Sequence, residues 1–119
     1  MDVQSIVRRS NDFLGHQVEV EGLFVMKGGI GYLVDTNQDT ECRLLAIHVS
    51  VMDLKPMLLA QVPALGGGKY LYCVPARLLG TLRASSHADF PCSIDSLRSF
   101  DVEVDGARFS VTDRSAPMP

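Results

Sequence analysis

The pattern of the chain changes at residues 16–34, which read HQVEVEGLFVMKGGIGYLV. Val18 and Val20 alternate with polar residues, and this period of two is typical of a strand that buries one face. Glycines at positions 28 and 29 separate the first apolar run from a second one, and glycine tolerates the positive φ of a tight hairpin turn. The segment therefore predicts two paired antiparallel strands, the first of them bent at Gly22.

Outward from this hairpin, the apolar runs predict three more strands and a helix, with turn-forming residues between them. These elements are a third strand at 43–49, a helix between 50 and 61, a fourth strand at 69–84 and a fifth strand at 90–104. Ser50 or Asp53 is a suitable helix N-cap. Pro75 and Gly80 interrupt the fourth strand and indicate an edge position, a bulge or a bend.

The order of three strands, one helix and two strands predicts a mainly β fold, a five-stranded Greek-key barrel with a helix between strands three and four. Before the barrel, apolar residues occur at helical spacing, and Gly15 follows the last of them as a helix C-cap would. After the barrel, Asp105 and Gly106 are typical of a tight turn. The predicted organisation is a single domain at 1–112, with an N-terminal helix at 2–14, the barrel at 16–104 and a hairpin extension at 105–112, followed by a flexible tail at 113–119.

The composition is that of a folded and mildly acidic domain. Of 119 residues, 46% are hydrophobic and 21% charged, and the net charge is -3. Such a chain has no overall positive field to attract phosphate backbones or anionic lipid, so its charge disfavours nucleic acid and membranes as partners. The first nine residues lack the apolar core of a signal peptide, and no apolar run reaches membrane-spanning length. We therefore expect a cytoplasmic protein.

Residue types that carry catalysis or bind metals are few and widely spaced. Cys42, Cys73 and Cys92 lack the paired spacing of a zinc site or a disulfide framework. The histidines at 16, 48 and 87 fall in two strands and a loop. The GGGK sequence at 66–69 lacks the Walker spacing and its Ser or Thr, so a connector is the favoured interpretation. We expect no catalytic residues, no metal and no cofactor.

Two stretches carry a resemblance to a known fold family, LGHQVEVEG at 14–22 and ARLLGTL at 76–82. They resemble the first and fourth strands of bacterial OB-fold domains, and the order of elements over 14–104 is similar as well. OB-folds bind ligands on strands two and three and with neighbouring loops. The resemblance implies binding of single-stranded nucleic acid or an oligosaccharide, for which stacking aromatics and basic side chains are needed. The candidate contacts are Lys27, Tyr32, Arg43, Arg83 and Phe90, with packing and solvated charge as the alternative roles.

Protein binding is the other hypothesis. The acidic net charge of the chain and the lack of a catalytic or metal-binding pattern in its sequence favour it. Glu19 and Glu21 alternate along the first strand, and Asp101 and Glu103 along the fifth, so each pair lies on one side of its strand. An acidic surface complements a basic partner. We therefore expect a non-catalytic protein-binding module with an unidentified, basic partner. In concrete terms, this would be a bacterial immunity protein or accessory subunit.

Overall fold

A computed structural model of the chain describes residues 1–64 and 70–111. The glycine-rich segment at 66–69 and the tail at 113–119, for which the sequence predicts a connector and a flexible end, lie outside these ranges. The elements in chain order are α1 (Val3–Arg8), α2 (Ser10–Phe13), β1 (Gln17–Lys27), β2 (Ile30–Val34), 3-10 turns at Asn37–Asp39 and Arg43–Leu45, β3 (Ile47–Val49), α3 (Leu54–Gln61), β4 (Tyr72–Ala84), β5 (Cys92–Val104) and β6 (Ala107–Ser110).

The strands form a closed five-stranded mixed barrel. Their order in the sheet is β3-β2-β1-β4-β5-β6, and a parallel pairing of β3 with β5 joins the ends of the barrel. In that pairing Ile47 lies beside Cys92 and Val49 beside Ile94, whereas all other pairings are antiparallel. The mainly β barrel with an N-terminal helix and a helix between strands three and four is confirmed. β6 is bonded outside the barrel.

β1 is long because it takes part in two pairings. It pairs with β2 only from Leu23 onward, whereas its pairing with β4 begins at Gln17. Gly22 lies at the point where β2 joins. A Cβ atom there would be 2.6 Å from the carbonyl oxygen of Val34 and 2.9 Å from a methyl group of Val3. This close approach of β2 and α1 requires glycine at the position where the sequence predicts a bend.

The inward side chains of the barrel strands form one continuous apolar core. Val3 and Ile6 of α1 and Leu54 and Leu58 of α3 are buried in it, so both helices cover the barrel with apolar side chains. The Tyr72 hydroxyl donates a hydrogen bond to the Val62 carbonyl at 2.7 Å, which joins the start of β4 to the residue after α3. Burial of these side chains is the main stabilising contribution.

Two predicted elements differ from the observed ones. The helix predicted at 2–14 is interrupted at Arg9, whose φ of -117° and ψ of 28° are not helical. The third strand begins at Ile47 because Arg43–Leu45 forms a 3-10 turn. Leu44 is 71% exposed there. Apolar residues in that part of the chain therefore do not mark a buried strand.

Other turn signals are confirmed. The register of β4 and β5 shifts between Leu79 and Thr81, where residues 96–98 of β5 lie opposite Gly80, so the pairing is irregular at the predicted interruption and the extra residues are on β5. Asp105 and Gly106 have φ values of 52° and 81° and connect β5 to β6 as a two-residue turn. Positive φ values at these two turn positions favour residues such as Asp and Gly, which tolerate the left-handed region of backbone conformation.

Candidate functional site

Charged side chains form a row across the outer side of three neighbouring strands. Glu21 of β1 lies beside Arg77 of β4, and Arg77 lies beside Asp101 of β5. Glu19 precedes Glu21 by two residues and Glu103 follows Asp101 by two, so alternation puts both on the same side of the sheet, but on opposite sides of the row that contains Arg77. The structure thus places the four acidic residues predicted to bind a partner on one side of the sheet, with Glu21 and Asp101 on either side of Arg77. We call this surface the acidic face: Glu19, Glu21, Asp101 and Glu103.

Arg77 lies within the acidic face. Its guanidinium Nη2 is 2.5 Å from Glu21 Oε1, and its Nε is 3.7 Å from Glu19 Oε1. All three side chains are about half exposed, so solvent weakens these ion pairs and they add little to stability. Sequence reasoning missed Arg77, since only the pairing of β1 with β4 brings residues so far apart in the chain together. The acidic face is therefore only partly neutralised.

The acidic face adjoins an open groove of about 870 Å³ between the strands and the N-terminal segment. Glu21, Asp101 and Glu103 line it, together with Asp2 and Arg108. The Asp101 carboxylate accepts a hydrogen bond from the Ser110 hydroxyl at 2.8 Å, while Glu103 lies opposite Arg108 in the β5–β6 pair. Three arginines, Arg8, Arg77 and Arg108, line the same groove, so residues of α1 and of four strands surround a concave surface of mixed charge with a small excess of carboxylates.

The aromatic residues predicted to stack on bases have a different environment. Tyr32 and Phe90 are buried, with ring centroids 5.4 Å apart, in a second apolar cluster that is separate from the main core. The Tyr32 hydroxyl donates to the Thr40 carbonyl, within the segment that connects β2 to β3. Burial raises the pKa of Tyr32 above its usual value. The face that OB-folds use for binding is therefore covered at Tyr32 by the chain itself.

Arg43 joins these two rings to the loop between β4 and β5. Its guanidinium carbon lies 5.7 Å from the Tyr32 ring centroid and 5.5 Å from that of Phe90, within the range of cation–π contacts. Its Nη1 is 2.9 Å from Asp89 Oδ2. The guanidinium is thus engaged in both a cation–π contact and an ion pair.

The other two basic candidates also have acidic neighbours. Lys27 Nζ is 3.9 Å from Glu41 Oε2, and Arg83 Nε is 3.3 Å from Asp95 Oδ1. Of the five residues predicted for nucleic-acid binding, the structure brings Tyr32, Arg43 and Phe90 into one group. Lys27 and Arg83 are paired outside that group. A phosphate ligand would have to compete with carboxylates of this chain for all three cations.

Two histidines complete what we call the aromatic cluster, namely Tyr32, Arg43, His48, His87 and Phe90. The His48 ring is stacked on Phe90, and the His87 ring lies 5.1 Å from Phe90 and 5.5 Å from His48. The His48 Nδ1 atom is buried and has no hydrogen-bond partner among the described residues. Burial, His87 and Arg43, in that order of importance, lower the pKa of His48 below 6.5. Sequence spacing gave no sign of this cluster.

Within residues 1–64 and 70–111 no group of three or more His, Cys, Asp or Glu side chains is placed to hold a metal ion. The same part of the chain contains no helix that is long and apolar enough to span a membrane.

Comparison of the chain with protein-family models, with curated proteins and with solved structures found no match.

Proposed function

We propose that this protein is a non-catalytic module that binds a basic partner protein through the acidic face. The observation that carries the proposal is the row in which Glu21 and Asp101 lie on either side of Arg77, with Glu19 and Glu103 on the same side of the sheet, next to a groove that Glu21, Asp101 and Glu103 line. Complementary charge speeds association and selects partners. An immunity protein or accessory subunit acting on a basic partner would use a surface of this kind.

We also infer that the barrel belongs to the OB-fold superfamily. The parallel closure of β3 with β5, the helix between β3 and β4 and the long β1 support this assignment. Fold alone does not determine function, so the assignment is compatible with either class of ligand.

The test of protein binding compares variants with equal charge loss. Asp101→Asn with Glu103→Gln removes two charges from the acidic face and keeps similar side-chain shapes. The control, Asp12→Asn with Asp53→Asn, removes two exposed charges elsewhere. Each protein is immobilised and exposed to bacterial lysate, half of it treated with nuclease, and retained proteins are identified by mass spectrometry.

A partner that resists nuclease, binds the wild type and the control, and is lost from the acidic-face variant would support the proposal. Equal recovery on all three proteins would contradict it. Recovery that disappears after nuclease treatment would favour the second candidate function.

That second candidate is binding of single-stranded nucleic acid or an oligosaccharide at Lys27, Tyr32, Arg43, Arg83 and Phe90. The proximity of Arg43 to two aromatic rings favours it, whereas ring burial and the acidic partners of all three cations disfavour it. Titration of a labelled single-stranded oligonucleotide over a range of salt concentrations provides the test. Phosphate binding requires affinity that falls steeply with salt.

A further inference from the structure

β6 provides an exposed sheet edge. It pairs with β5 on one side, and the strand order gives it no neighbour on the other side within residues 1–64 and 70–111. At the opposite end of the sheet, β3 is closed against β5. Unpaired backbone groups at a sheet edge are a template for another strand. β6 is therefore a place where the sheet can be extended.

The alternation of hydrogen bonds identifies the backbone groups that face outward. The N–H of Val111 donates to the Phe100 carbonyl at 2.7 Å, so Val111 and Phe100 lie opposite each other as a hydrogen-bonded pair. Counting back along the antiparallel pair, Phe109 and Ala107 also bond to β5, whereas Ser110 and Arg108 occupy the alternate positions. The N–H and C=O groups of Arg108 and Ser110 consequently point away from β5.

We propose that two copies of this chain associate by antiparallel pairing of their β6 strands about a two-fold axis at Phe109. Arg108 of each copy then lies opposite Ser110 of the other. This register pairs the outward N–H and C=O groups of both residues in each chain, and the contact has the same residues on both sides, as a two-fold interface requires. The inference does not require the proposed partner protein, although the second copy would lie next to Asp101 of the acidic face.

Side chains favour this register over its neighbours. On the outer side, Arg108 meets the small Ser110 of the second copy, beyond which lies Asp101, whose carboxylate already accepts from the Ser110 hydroxyl. On the other side, Phe109 meets its own copy, and this side chain is only partly buried against the core. A register centred on Arg108 would place two like charges opposite each other, which is unfavourable. The charge pattern therefore selects a second copy of this chain in the register centred on Phe109.

The first test removes the outward donor without affecting the fold. Arg108→Pro lacks the outward N–H, which makes no bond to β5, and proline is tolerated at such edge positions. Arg108→Ala is the matched control, because it loses the same side chain but keeps the N–H. Sedimentation equilibrium of the full chain should show a weak concentration-dependent dimer for the wild type and Arg108→Ala, since a four-residue edge buries little area. Arg108→Pro should dimerise at least about tenfold more weakly than Arg108→Ala, because each copy loses one backbone hydrogen-bond donor.

A second test remains informative if Arg108→Pro is poorly folded. In a Cys42→Ser background, which removes the exposed native thiol, Phe109→Cys places two thiols across the two-fold axis. Ala107→Cys places them several residues apart. Mild oxidation should cross-link Phe109→Cys rapidly and Ala107→Cys slowly. A wild type that is monomeric at all concentrations, an Arg108→Pro variant that dimerises as tightly as Arg108→Ala, or equal cross-linking of the two cysteine variants would each overturn the proposal.

Discussion

The His48 imidazole lies parallel to the Phe90 ring, with centroids 4.9 Å apart and an angle of 13° between the planes. His48 is on β3 and Phe90 lies two residues before the start of β5, so the stack lies beside the parallel pairing that closes the barrel. Arg43 and His87 are close by, with Asp89 paired to Arg43. A positively charged His48 imidazole would be buried away from water and close to the Arg43 guanidinium and to a second imidazole, that of His87. The arrangement therefore favours neutral His48.

Protonation of His48 should lower the free energy of unfolding as the pH falls. In the unfolded chain this residue titrates near 6.5, and its pKa in the folded protein is lower. Between pH 6.5 and the lower folded pKa, the unfolded state binds a proton that the folded state does not. The contribution of neutral His48 to the free energy of unfolding is therefore complete above pH 6.5 and is lost as the pH falls toward the folded pKa. The slope for one proton is at most about 1.4 kcal/mol per pH unit. Urea denaturation from pH 8 to pH 5 should show a smaller decline for His48→Gln than for the wild type.

The control for this experiment is His16→Gln, which alters an exposed histidine at the start of the barrel. It should follow the wild-type pH dependence. Identical pH dependence of the wild type and His48→Gln would show that His48 does not contribute.

Arg43→Ala should destabilise the protein because it removes the cation–π contact and the Asp89 ion pair together. The Arg43 side chain is 27% exposed and that of Asp89 is 54% exposed. A loss of about 1 kcal/mol is expected, since each such contact contributes a fraction of that amount. Chemical denaturation provides the measurement. Arg43→Lys should recover only part of the loss, because a lysine lacks the planar group that lies against the rings.

Asp89→Asn separates the two contributions. It should cost less than Arg43→Ala, since it leaves the guanidinium against Tyr32 and Phe90. If Asp89→Asn proved as destabilising as Arg43→Ala, the ring contacts would contribute nothing measurable.

Gly22→Ala should be strongly destabilising although alanine is small. The added Cβ would approach the Val34 carbonyl oxygen to 2.6 Å, and backbone cannot easily move away. Overpacking of this kind costs about 1–3 kcal/mol. Gly29→Ala is the control, because no atom lies within 4 Å of its added Cβ and it has no positive φ. Thermal unfolding should show a large loss for Gly22→Ala and little change for Gly29→Ala, and similar melting temperatures would refute the steric argument.

The three cysteines should differ in reactivity. Cys42 is exposed, Cys73 is partly buried and Cys92 is fully buried. Burial raises the pKa of Cys73 and raises that of Cys92 to about 11, so little reactive thiolate forms at neutral pH. Alkylation of the native protein, mapped by mass spectrometry, should modify Cys42 first and Cys92 only on unfolding. Early modification of Cys92 would contradict its burial.

Local patterns were sufficient to predict most of the fold. Alternation at Val18 and Val20 indicated β1, and the turn at Asp105 and Gly106 follows from the backbone preferences of those residues. The 3-10 turn at Arg43–Leu45 was not predictable, because Leu44 is exposed and hydrophobicity alone does not report burial. In such cases the tertiary environment overrides local preference.

The candidate site was less predictable for a different reason. Acidic residues could be recognised in the sequence, but the position of Arg77 between them depends on the pairing of β1 with β4. Stacking of His48 on Phe90 likewise depends on the parallel pairing of β3 with β5. Neither arrangement has a short-range signal, because the residues are close only in the folded chain.

The parallel pairing that closes the barrel also has a kinetic consequence. It involves only three residue pairs, from Ile47 with Cys92 to Val49 with Ile94, and the whole of α3 and β4 lies between the two strands in the chain. Joining such distant segments costs more loop entropy than forming the β1–β2 hairpin, so we expect closure to come late in folding. Val49→Ala should then accelerate unfolding and leave the folding rate nearly unchanged in stopped-flow experiments, whereas a slower folding rate would mean early closure. The same short contact would be the point at which the folded barrel first opens.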